Sequence, residues 1–337
     1  MRAKLASILV FCMSITSTNL LAESNTATLS SSEIKQTLVD VYQKYKNVKD
    51  GKNADYIPEL AKVNPNYFTI VIATPDGKIE SIGNSDVPFA IESISKPFVY
   101  GLALQDNGTS VLNDKIGLNA TGQGFNSIMA LEQIPNHLEN PLVNAGAIQV
   151  TSLIKGKDGE DKWNRVLDFF KSLSDDQLYL GEKVYRSEMA TNQHNRAIAG
   201  LLNSYGMLDG DPLDAVDRYT KACSIMASAR QLALMGATLI NKGINPLSHQ
   251  QIIQPQYIKE ILAQMVINGL YENSGAWFTT VGLPAKSGVG GGILAIAPHK
   301  MAIVVFSPPV DKAGNSVRAQ LVIAELSKRW KLHLLSN

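Results

Sequence analysis

Residues 87–98 read Val87-Pro88-Phe89-Ala90-Ile91-Glu92-Ser93-Ile94-Ser95-Lys96-Pro97-Phe98. A helical pattern runs from Ser93 to Leu104, and residues three apart on a helix are neighbours, so Ser93 and Lys96 share a face. A buried amine with a lowered pKa can take the proton of a serine hydroxyl, and free N–H groups at a helix start can face an oxyanion. The tetrad predicts a nucleophilic serine, although the same spacing is also common in solvated helix starts.

A second motif lies near the end of the chain and reads Leu283-Pro284-Ala285-Lys286-Ser287-Gly288-Val289-Gly290-Gly291-Gly292. Lys-Ser-Gly on a strand, followed by glycines, lets the strand backbone pass close to a ligand and offer it N–H groups. A phosphate-binding loop is excluded because its glycines precede the Lys-Ser pair. Taken alone, this segment also suits a glycine-rich bend at the edge of a sheet.

The composition indicates a globular protein that acts on a small molecule. The chain has 337 residues, of which 45% are hydrophobic and 18% charged, enough for one large domain or two intimate ones. The formal net charge is +1, and no long basic run occurs. The electrostatic footprint of nucleic-acid binding is therefore missing, and no nucleic-acid partner is expected.

Residues 1–22 resemble a secretory signal peptide. Arg2 and Lys4 precede a mostly apolar run, Leu5 to Ile15, and small and polar residues then lead to Ala22. The apolar run is too short and too interrupted to span a membrane, so no membrane partner is expected for the mature form. The pattern predicts cleavage near Ala22 and a periplasmic or secreted protein, or a cytoplasmic one if the N-terminus is not processed.

The cysteines and histidines suggest neither a disulfide nor a metal site. After such a cleavage only Cys223 remains, in an apolar helical setting that is typical of the core. The five histidines are scattered and lack the spacing of metal-ligand pairs. No flavin or nicotinamide fingerprint occurs, and we expect no cofactor.

The order of the predicted elements indicates an α+β fold. Strands are predicted at 67–74, 78–82, 277–283, 292–297 and 301–306, the first two forming a hairpin. Helices are predicted at 93–104, 140–148, 161–173, 187–205, 212–223, 228–241, 254–267 and 316–332. This order predicts a single catalytic domain, 23–337, with a sheet lobe (about 50–90 and 275–337) and a helical lobe (about 91–274). The catalytic cleft is expected between the lobes.

A Ser-x-x-Lys motif early in the chain and a Lys-Ser-Gly motif late in the chain occur together in the serine β-lactamase and penicillin-binding superfold. Further motifs make the chain resemble the serine-dependent glutaminases of bacteria and mitochondria. They are Tyr56-Ile57-Pro58-Glu59-Leu60-Ala61, Phe125-Asn126-Ser127, Asn140-Pro141-Leu142-Val143-Asn144-Ala145-Gly146-Ala147, Ser187-Glu188, Cys223-Ser224, Leu283 to Val289, and Pro308 to Val317. The resemblance implies a β-lactamase/transpeptidase-like fold, with an antiparallel sheet flanked by helices and a helical lobe.

The resemblance also implies hydrolysis of L-glutamine to L-glutamate and ammonia through a γ-glutamyl-serine intermediate. Ser93 is similar to the nucleophile of the family and Lys96 to the group that deprotonates it. The backbone N–H of Val289 would join that of Ser93 in an oxyanion hole. The matching pocket residues are Tyr56, Asn144, Glu188, Asn195, Tyr219 and Tyr271, with Tyr219 and Tyr271 also implied in the proton transfers. Relatives commonly assemble as dimers or tetramers, so a homodimer or homotetramer is expected.

These roles also make chemical sense for the substrate itself. Glutamine carries an ammonium group, which Glu188 can bind, and a carboxylate, to which Asn144, Asn195 and tyrosine hydroxyls can donate. Each residue also has an ordinary structural interpretation. Glu188 suits the first turn of a helix, Asn144 suits a helix start, and the tyrosines suit half-buried packing positions.

Two positions depart from the family pattern. Glu92 stands where the family commonly has glutamine, and a negative charge there would stabilise protonated Lys96 and weaken it as a base. His194 stands where arginine more often precedes the asparagine, which leaves the register at Asn195 open.

Two other functions fit parts of the sequence. A β-lactamase or D-Ala-D-Ala carboxypeptidase has the same superfold and suits an exported protein, but its acidic and Ser-x-Asn motifs are not recognisable here. Labelling of Ser93 by a penicillin would favour this function. A non-catalytic amino-acid-binding protein would keep the pocket and bind glutamine tightly without producing glutamate.

Overall fold

A computed structural model of the chain describes residues 29–175 and 177–336. The predicted signal peptide, residues 1–22, lies outside the described residues. Within the described ranges, none of the helices has both the length and the apolar composition that crossing a membrane requires.

Helices and short strands alternate along the described chain. The helices are α1 (Ser31–Tyr45), α2 (Pro58–Ala61), α3 (Lys96–Asn107), α4 (Thr109–Lys115), α5 (Ile128–Gln133), α6 (Asn144–Ser152), α7 (Gly159–Ser172), α8 (Glu182–Thr191), α9 (Gln193–Ser204), α10 (Pro212–Cys223), α11 (Ala229–Ile240), α12 (Pro255–Asn268), α13 (Ser274–Thr280) and α14 (Val317–Arg329). The strands are β1 (Thr69–Ala73), β2 (Ile79–Gly83), β3 (Phe89–Ala90), β4 (Tyr179–Leu180), β5 (Ile225–Ala227), β6 (Ala285–Gly288), β7 (Gly292–Ala297) and β8 (Met301–Phe306). Three 3-10 turns span Glu92–Ser95, Pro135–His137 and Tyr271–Asn273.

A five-stranded antiparallel sheet joins the two ends of the described chain. Its strand order is β2-β1-β8-β7-β6, and every neighbouring pair is antiparallel. The early strand β1 pairs with the late strand β8 from Thr69 opposite Phe306 to Ala73 opposite Ala302. The hairpin predicted between residues 67 and 82 is confirmed, because β1 and β2 pair on either side of a turn that contains Gly77.

Helices cover both faces of this sheet. In β8, Ile303 and Val305 lie in the core shared with α1 and α14, whereas Val304 and Phe306 lie in the core shared with α11. Successive side chains of a strand point to opposite faces, so a strand that is buried on both faces is apolar throughout. This explains the continuous apolar run of β8. The predicted α+β class, with an antiparallel sheet flanked by helices, is confirmed.

A second, smaller sheet was not predicted. It has the order β3-β5-β4, and β3 pairs Phe89 with Ala227 and Ala90 with Met226. Strands of two or three residues leave almost no periodic signal in a sequence. The small sheet matters because it connects the chain just before Ser93 to the chain just after Cys223, the last residue of α10.

Two predictions of secondary structure were wrong. The strand predicted at 277–283 is instead helix α13 followed by a turn, in which the Trp277 indole N–H donates to the Leu283 carbonyl at 2.8 Å. Burial of Trp277, Val281 and Leu283 in one core outweighs the local strand preference of the β-branched residues. The single helix predicted at 187–205 is two helices, α8 and α9, which meet at the non-helical Asn192.

Candidate active site

Most of the predicted site residues line one small cavity. They are Tyr56, Ser93, Asn144, Glu188, Asn195, Tyr219 and Val289. The cavity has a volume of about 90 Å³, below the roughly 300–1,000 Å³ of pockets for drug-sized ligands, so it suits a small molecule. A larger groove of about 600 Å³ lies against α1 and the β1–β2 turn, but none of the predicted site residues lines it.

The nucleophile candidate lies in a tightly held turn. Ile91 N–H donates to the Ile225 carbonyl at 3.0 Å, which continues the β3–β5 pairing up to the 3-10 turn. Glu92 then adopts a φ of 51°, in the left-handed region that non-glycine residues rarely occupy and that concentrates at functional sites. Ser93 follows in the first turn, where N–H groups lack intrahelical acceptors, and Lys96 opens α3.

Glycines allow β6 to lie directly against this turn. A Cβ atom on Gly288 would come within 2.5 Å of the Ile91 carbonyl oxygen, and one on Gly290 within 2.4 Å of the Ala90 oxygen. Val289 lies between these glycines, and its N–H has no hydrogen-bond acceptor within residues 29–175 and 177–336. The Val289 N–H is thus free to bind an oxyanion beside Ser93, as predicted for a glycine-rich strand.

Lys96 is buried in a network with two other predicted residues. Its Nζ donates to Asn144 Oδ1 at 2.7 Å, and the Tyr219 hydroxyl donates to the same oxygen at 3.0 Å. Burial lowers the pKa of Lys96 to about 8, although Cys223 and Glu92 oppose the shift. About one lysine in ten is therefore a neutral amine at a pH of about 7, and a neutral amine can accept a proton.

The two buried tyrosines remain phenols. Burial raises the pKa of Tyr219 and that of Tyr271, in the second case against the interactions with Ser93 and Ser287. The Tyr271 hydroxyl donates to the Ser287 carbonyl at 3.3 Å, and the Lys286 Nζ lies 4.2 Å from the centre of the Tyr271 ring. These hydroxyls can donate or relay a proton, but they are poor bases compared with Lys96.

Lys286, the lysine of the second motif, does not line the cavity. Its Nζ donates to the carbonyls of Gly269 and Ser287, at 3.1 and 2.7 Å. Burial and the nearby Lys96 lower the pKa of Lys286. The side chain thus ties β6 to the segment that carries Tyr271.

Two of the substrate-binding candidates lie on the helices α6 and α9, and a third lies before α2. Asn144 is the first residue of α6, and its Nδ2 donates to Asn195 Oδ1, in α9, at 3.0 Å. Asn195 therefore belongs to the pocket despite the departure at His194, whose ring contacts the Asn126 carbonyl at 2.6 Å. Tyr56 is 56% exposed and lines the cavity, so it lies at the mouth.

Glu188 is the carboxyl group of the pocket that the sequence predicted. The Ser224 hydroxyl donates to Glu188 Oε1 at 3.2 Å. Burial raises the pKa of Glu188 to about 7, while hydrogen bonding from Glu92 and Ser224 opposes the shift. A carboxylate at this position can bind a cationic group of a ligand.

Six residues that line the cavity were not predicted as site residues: Ile57, Glu92, Phe125, Thr191, Asn192 and Cys223. Phe125 packs on Tyr271 with ring centres 4.6 Å apart, and its carbonyl accepts from the Asn144 N–H at 2.8 Å. Cys223 follows Tyr219 by four residues in α10, and this spacing could have placed it on the face of Tyr219. Glu92 was noted only as a departure from the family pattern.

Across residues 29–175 and 177–336, no group of three or more His, Cys, Asp or Glu side chains is arranged to hold a metal ion.

Comparison with known proteins gives a consistent assignment. The family model described as Glutaminase matches residues 51–335. The chain is 44% identical to a glutaminase of Mycobacterium ulcerans over 308 residues, 91% of this chain and 96% of the relative. A solved structure described as "Probable glutaminase ybaS" covers 92% of this chain and 100% of its own, with a TM-score of 0.90 and 45% identity.

A second solved structure carries information about a ligand. It is the covalent complex between the Bacillus subtilis glutaminase YbgJ and 5-oxo-L-norleucine, formed by reaction with 6-diazo-5-oxo-L-norleucine. It covers 90% of this chain and 100% of its own, with a TM-score of 0.81 and 28% identity. The resemblance inferred from the sequence is confirmed: the chain belongs to the glutaminase family.

Proposed function

We propose that the chain hydrolyses the side-chain amide of L-glutamine to L-glutamate and ammonia, with Ser93 as the nucleophile. The observation that carries this proposal is the hydrogen bonding of Asn144 Oδ1, which accepts from both Lys96 Nζ and the Tyr219 hydroxyl beside Ser93. The nucleophile and the proton relay thereby line one small cavity with Asn144, and the base is bonded to Asn144 from behind the cavity wall. The enzyme is an amidohydrolase, as its family implies.

Binding uses the charged end of glutamine. The carboxylate of Glu188 binds the α-ammonium group, and the amide of Asn195 together with the Tyr56 hydroxyl binds the α-carboxylate. These residues line the same cavity as Ser93. A free amino acid is thus held with its side-chain amide toward Ser93.

Acylation begins when Ser93 Oγ attacks the amide carbon of the glutamine side chain. Lys96, as the neutral amine, takes the hydroxyl proton. The negative charge that forms on the amide oxygen is stabilised by the N–H groups of Ser93 and Val289, at about 3–4 kcal/mol for each well-placed donor. The tetrahedral intermediate then collapses and its C–N bond breaks.

The departing nitrogen needs a proton, and Lys96 supplies it through Tyr219. The Tyr219 hydroxyl and the Lys96 Nζ bond to the same oxygen atom, which holds the two groups close to each other, and Tyr271 assists in the transfer. Ammonia leaves and a γ-glutamyl ester remains on Ser93. A water molecule then attacks the ester carbon, and the same groups return the proton to Ser93 Oγ.

The B. subtilis relative supports the covalent step. In 5-oxo-L-norleucine a methyl group replaces the amide nitrogen of glutamine, and the relative forms a covalent complex with it. The diazo reagent loses dinitrogen when this complex forms, so a nucleophile of that relative reaches the end of a side chain of glutamine's length. Neither a β-lactamase-type hydrolase nor a non-catalytic binding protein is favoured by the family assignment.

Replacement of Ser93 by alanine tests the nucleophile. We expect S93A to lose at least about 10³-fold in kcat, because the residual rate without a nucleophile comes only from binding and the oxyanion donors. The matched control is S95A, whose hydroxyl donates to the Glu92 carbonyl in the same turn. That variant should lose about 1 kcal/mol of unfolding free energy and keep its turnover. Ammonia release by folded S93A at a near-normal rate would eliminate the proposed nucleophile.

Export and assembly are further parts of the proposal. The signal-like pattern of residues 1–22 supports a periplasmic or secreted enzyme. Mass spectrometry of the protein from a periplasmic fraction should give a mass that begins near Glu23, and an intact N-terminus would contradict export. Light scattering of the purified chain should give the mass of a homodimer or homotetramer, and a monomer would contradict the assembly.

A further inference from the structure

Glu92 is a buried carboxyl group, and one of its two oxygen atoms lacks a hydrogen-bond partner among the described residues. The residue is 3% exposed, lines the active-site cavity, and its Oε1 has no hydrogen-bond partner within the described residues. Burying an ionised carboxylate without a partner of opposite charge costs free energy, so such a group either holds a proton or binds a cation. The proposed mechanism does not use it.

The backbone fixes this side chain in place. Glu92 has the left-handed φ of 51°, and the loop after β6 closes over it. A Cβ on Gly288 would lie 3.2 Å from Glu92 Cβ, and one on Gly290 would lie 3.3 Å from Glu92 Cγ. The glycines thus leave room for the side chain but little room for it to move away from the cavity.

Several titratable groups face Glu92 from the elements packed around it. They are Lys96 of α3, Glu188 of α8, Tyr219 and Cys223 of α10, Tyr56 before α2, and Tyr271 of the third 3-10 turn. Within this set Lys96 alone can carry a positive charge, and its Nζ already donates to Asn144 Oδ1. Burial and the Glu188 carboxylate raise the pKa of Glu92. Two neighbouring carboxyls then titrate as a pair.

We propose that Glu92 and Glu188 hold one shared proton while the cavity is empty and release it to solvent when the α-ammonium group of glutamine binds. This inference rests on the proposed function, in which Glu188 receives the ammonium group. The charges balance, because the pair changes from −1 to −2 while the ligand brings +1. The ammonium group has three donors and can bond to both carboxylates.

The pair makes ammonium recognition both selective and pH-dependent. N-acetylglutamine carries no ammonium group, so it cannot displace the proton and should not bind. Because binding releases a proton, the affinity for glutamine should rise with pH, by up to about tenfold per pH unit while the empty pair still holds the proton. Glu92→Gln keeps the shape of the side chain and a hydrogen-bond donor toward Glu188, but the glutamine amide does not titrate.

The test measures glutamine binding to S93A, which does not consume the ligand. Infrared difference spectra with and without glutamine should show the C=O band of a protonated carboxylic acid disappearing on binding. The S93A/E92Q protein should lack this change. The matched control is S93A/E139Q, because Glu139 is another buried carboxyl whose pKa burial raises, to about 7, but it does not line the cavity. That control should keep the band change of S93A.

Calorimetry of the same proteins, in two buffers with different ionisation enthalpies, should give about one proton released per glutamine bound to S93A and distinctly less for S93A/E92Q. An unchanged carboxylic acid band in glutamine-bound S93A, or the same change in S93A/E92Q, would overturn the shared proton. The turnover assay of S93A judges the nucleophile independently, so the two proposals can fail separately. Failure of S93A to bind glutamine would count against both the proposed pocket and the carboxyl pair.

Discussion

Lys96 should control how the rate depends on pH. Burial lowers its pKa to about 8, and only the neutral amine accepts the Ser93 proton. Because kcat/KM reports the pKa values of the free enzyme, we expect kcat/KM to rise with pH and to level off above about 8. K96R should lose about 10²–10⁴-fold in kcat, because arginine stays protonated. The pH–rate profile measured at glutamine concentrations well below KM checks this, and a profile that is flat between pH values of about 6 and 9 would show that Lys96 is not the base.

Asn144 should act on catalysis through Lys96. In N144D a carboxylate replaces the amide oxygen that accepts from Lys96 Nζ and from the Tyr219 hydroxyl. An opposite charge at hydrogen-bond distance raises the pKa of a lysine by about 1–3 units, so the rise of kcat/KM should move to higher pH by that amount. The measurement is the pH–rate profile of N144D beside that of the parent. A higher KM with an unmoved midpoint would mean that Asn144 serves only the substrate.

At the scale of the elements, the distance between β6 and the Ser93 turn should set the activity. G288A places a Cβ within 2.5 Å of the Ile91 carbonyl, so β6 must move away from the turn and carry Val289 with it. We expect a loss of about 1–3 kcal/mol in unfolding free energy, together with a fall in kcat that exceeds any change in KM.

The matched control for this element is G200A on helix α9. A Cβ on Gly200 would meet no atom within 4 Å, and alanine is favoured over glycine inside a helix by up to about 1 kcal/mol. G200A should therefore be neutral or stabilising and keep its activity. Denaturant unfolding and steady-state kinetics of both variants test the pair. Full activity in G288A would show that the Val289 N–H is not held in position by this contact.

The strands of the large sheet could be predicted from the sequence because their burial is two-sided. The runs Gly292–Ala297 and Met301–Phe306 were predicted with the bounds that β7 and β8 have. A run that is apolar at every position and is bounded by turn residues has few alternatives. Helix α13 was not predicted because its own residues favour a strand. The helix depends instead on the packing of Trp277 against residues outside it, which the local sequence does not show.

Only those parts of the site that lie in recognisable sequence motifs could be predicted. Two motifs contain Ser93, Lys96 and Val289, and their residue types and spacing indicate a nucleophilic serine and backbone N–H groups that face a ligand. The hydrogen bonds that Asn144 receives from Lys96 and Tyr219 connect three separate helices. The hydrophobic periodicity of a sequence does not indicate contacts between helices of this kind. Glu92 could not be recognised as part of a carboxyl pair, because Glu188 lies far away in sequence and only the fold brings them together.

For the whole molecule, one arginine holds the two ends of the described chain together. Arg318 in α14 is 2% exposed, and its guanidinium donates to Ser307 Oγ at 2.7 Å. It also donates to the carbonyls of Lys46, Pro65 and Tyr67, which lie between α1 and β1. One side chain therefore satisfies carbonyl groups that the loop before β1 would otherwise bury unpaired.

R318M keeps much of the apolar stem and removes these hydrogen bonds. Because several buried carbonyls lose their donor, we expect a loss of about 2–4 kcal/mol in unfolding free energy. The control is R329M, which breaks only the exposed ion pairs of Arg329 with Asp40 and Glu325 and should change stability by about 0.5 kcal/mol or less. Since Arg318 lies on the opposite face of the sheet from α11 and does not line the cavity, the kcat of folded R318M should match the parent. An R318M protein that keeps its stability but loses its turnover would contradict this expectation, because Arg318 would then act on the active site directly.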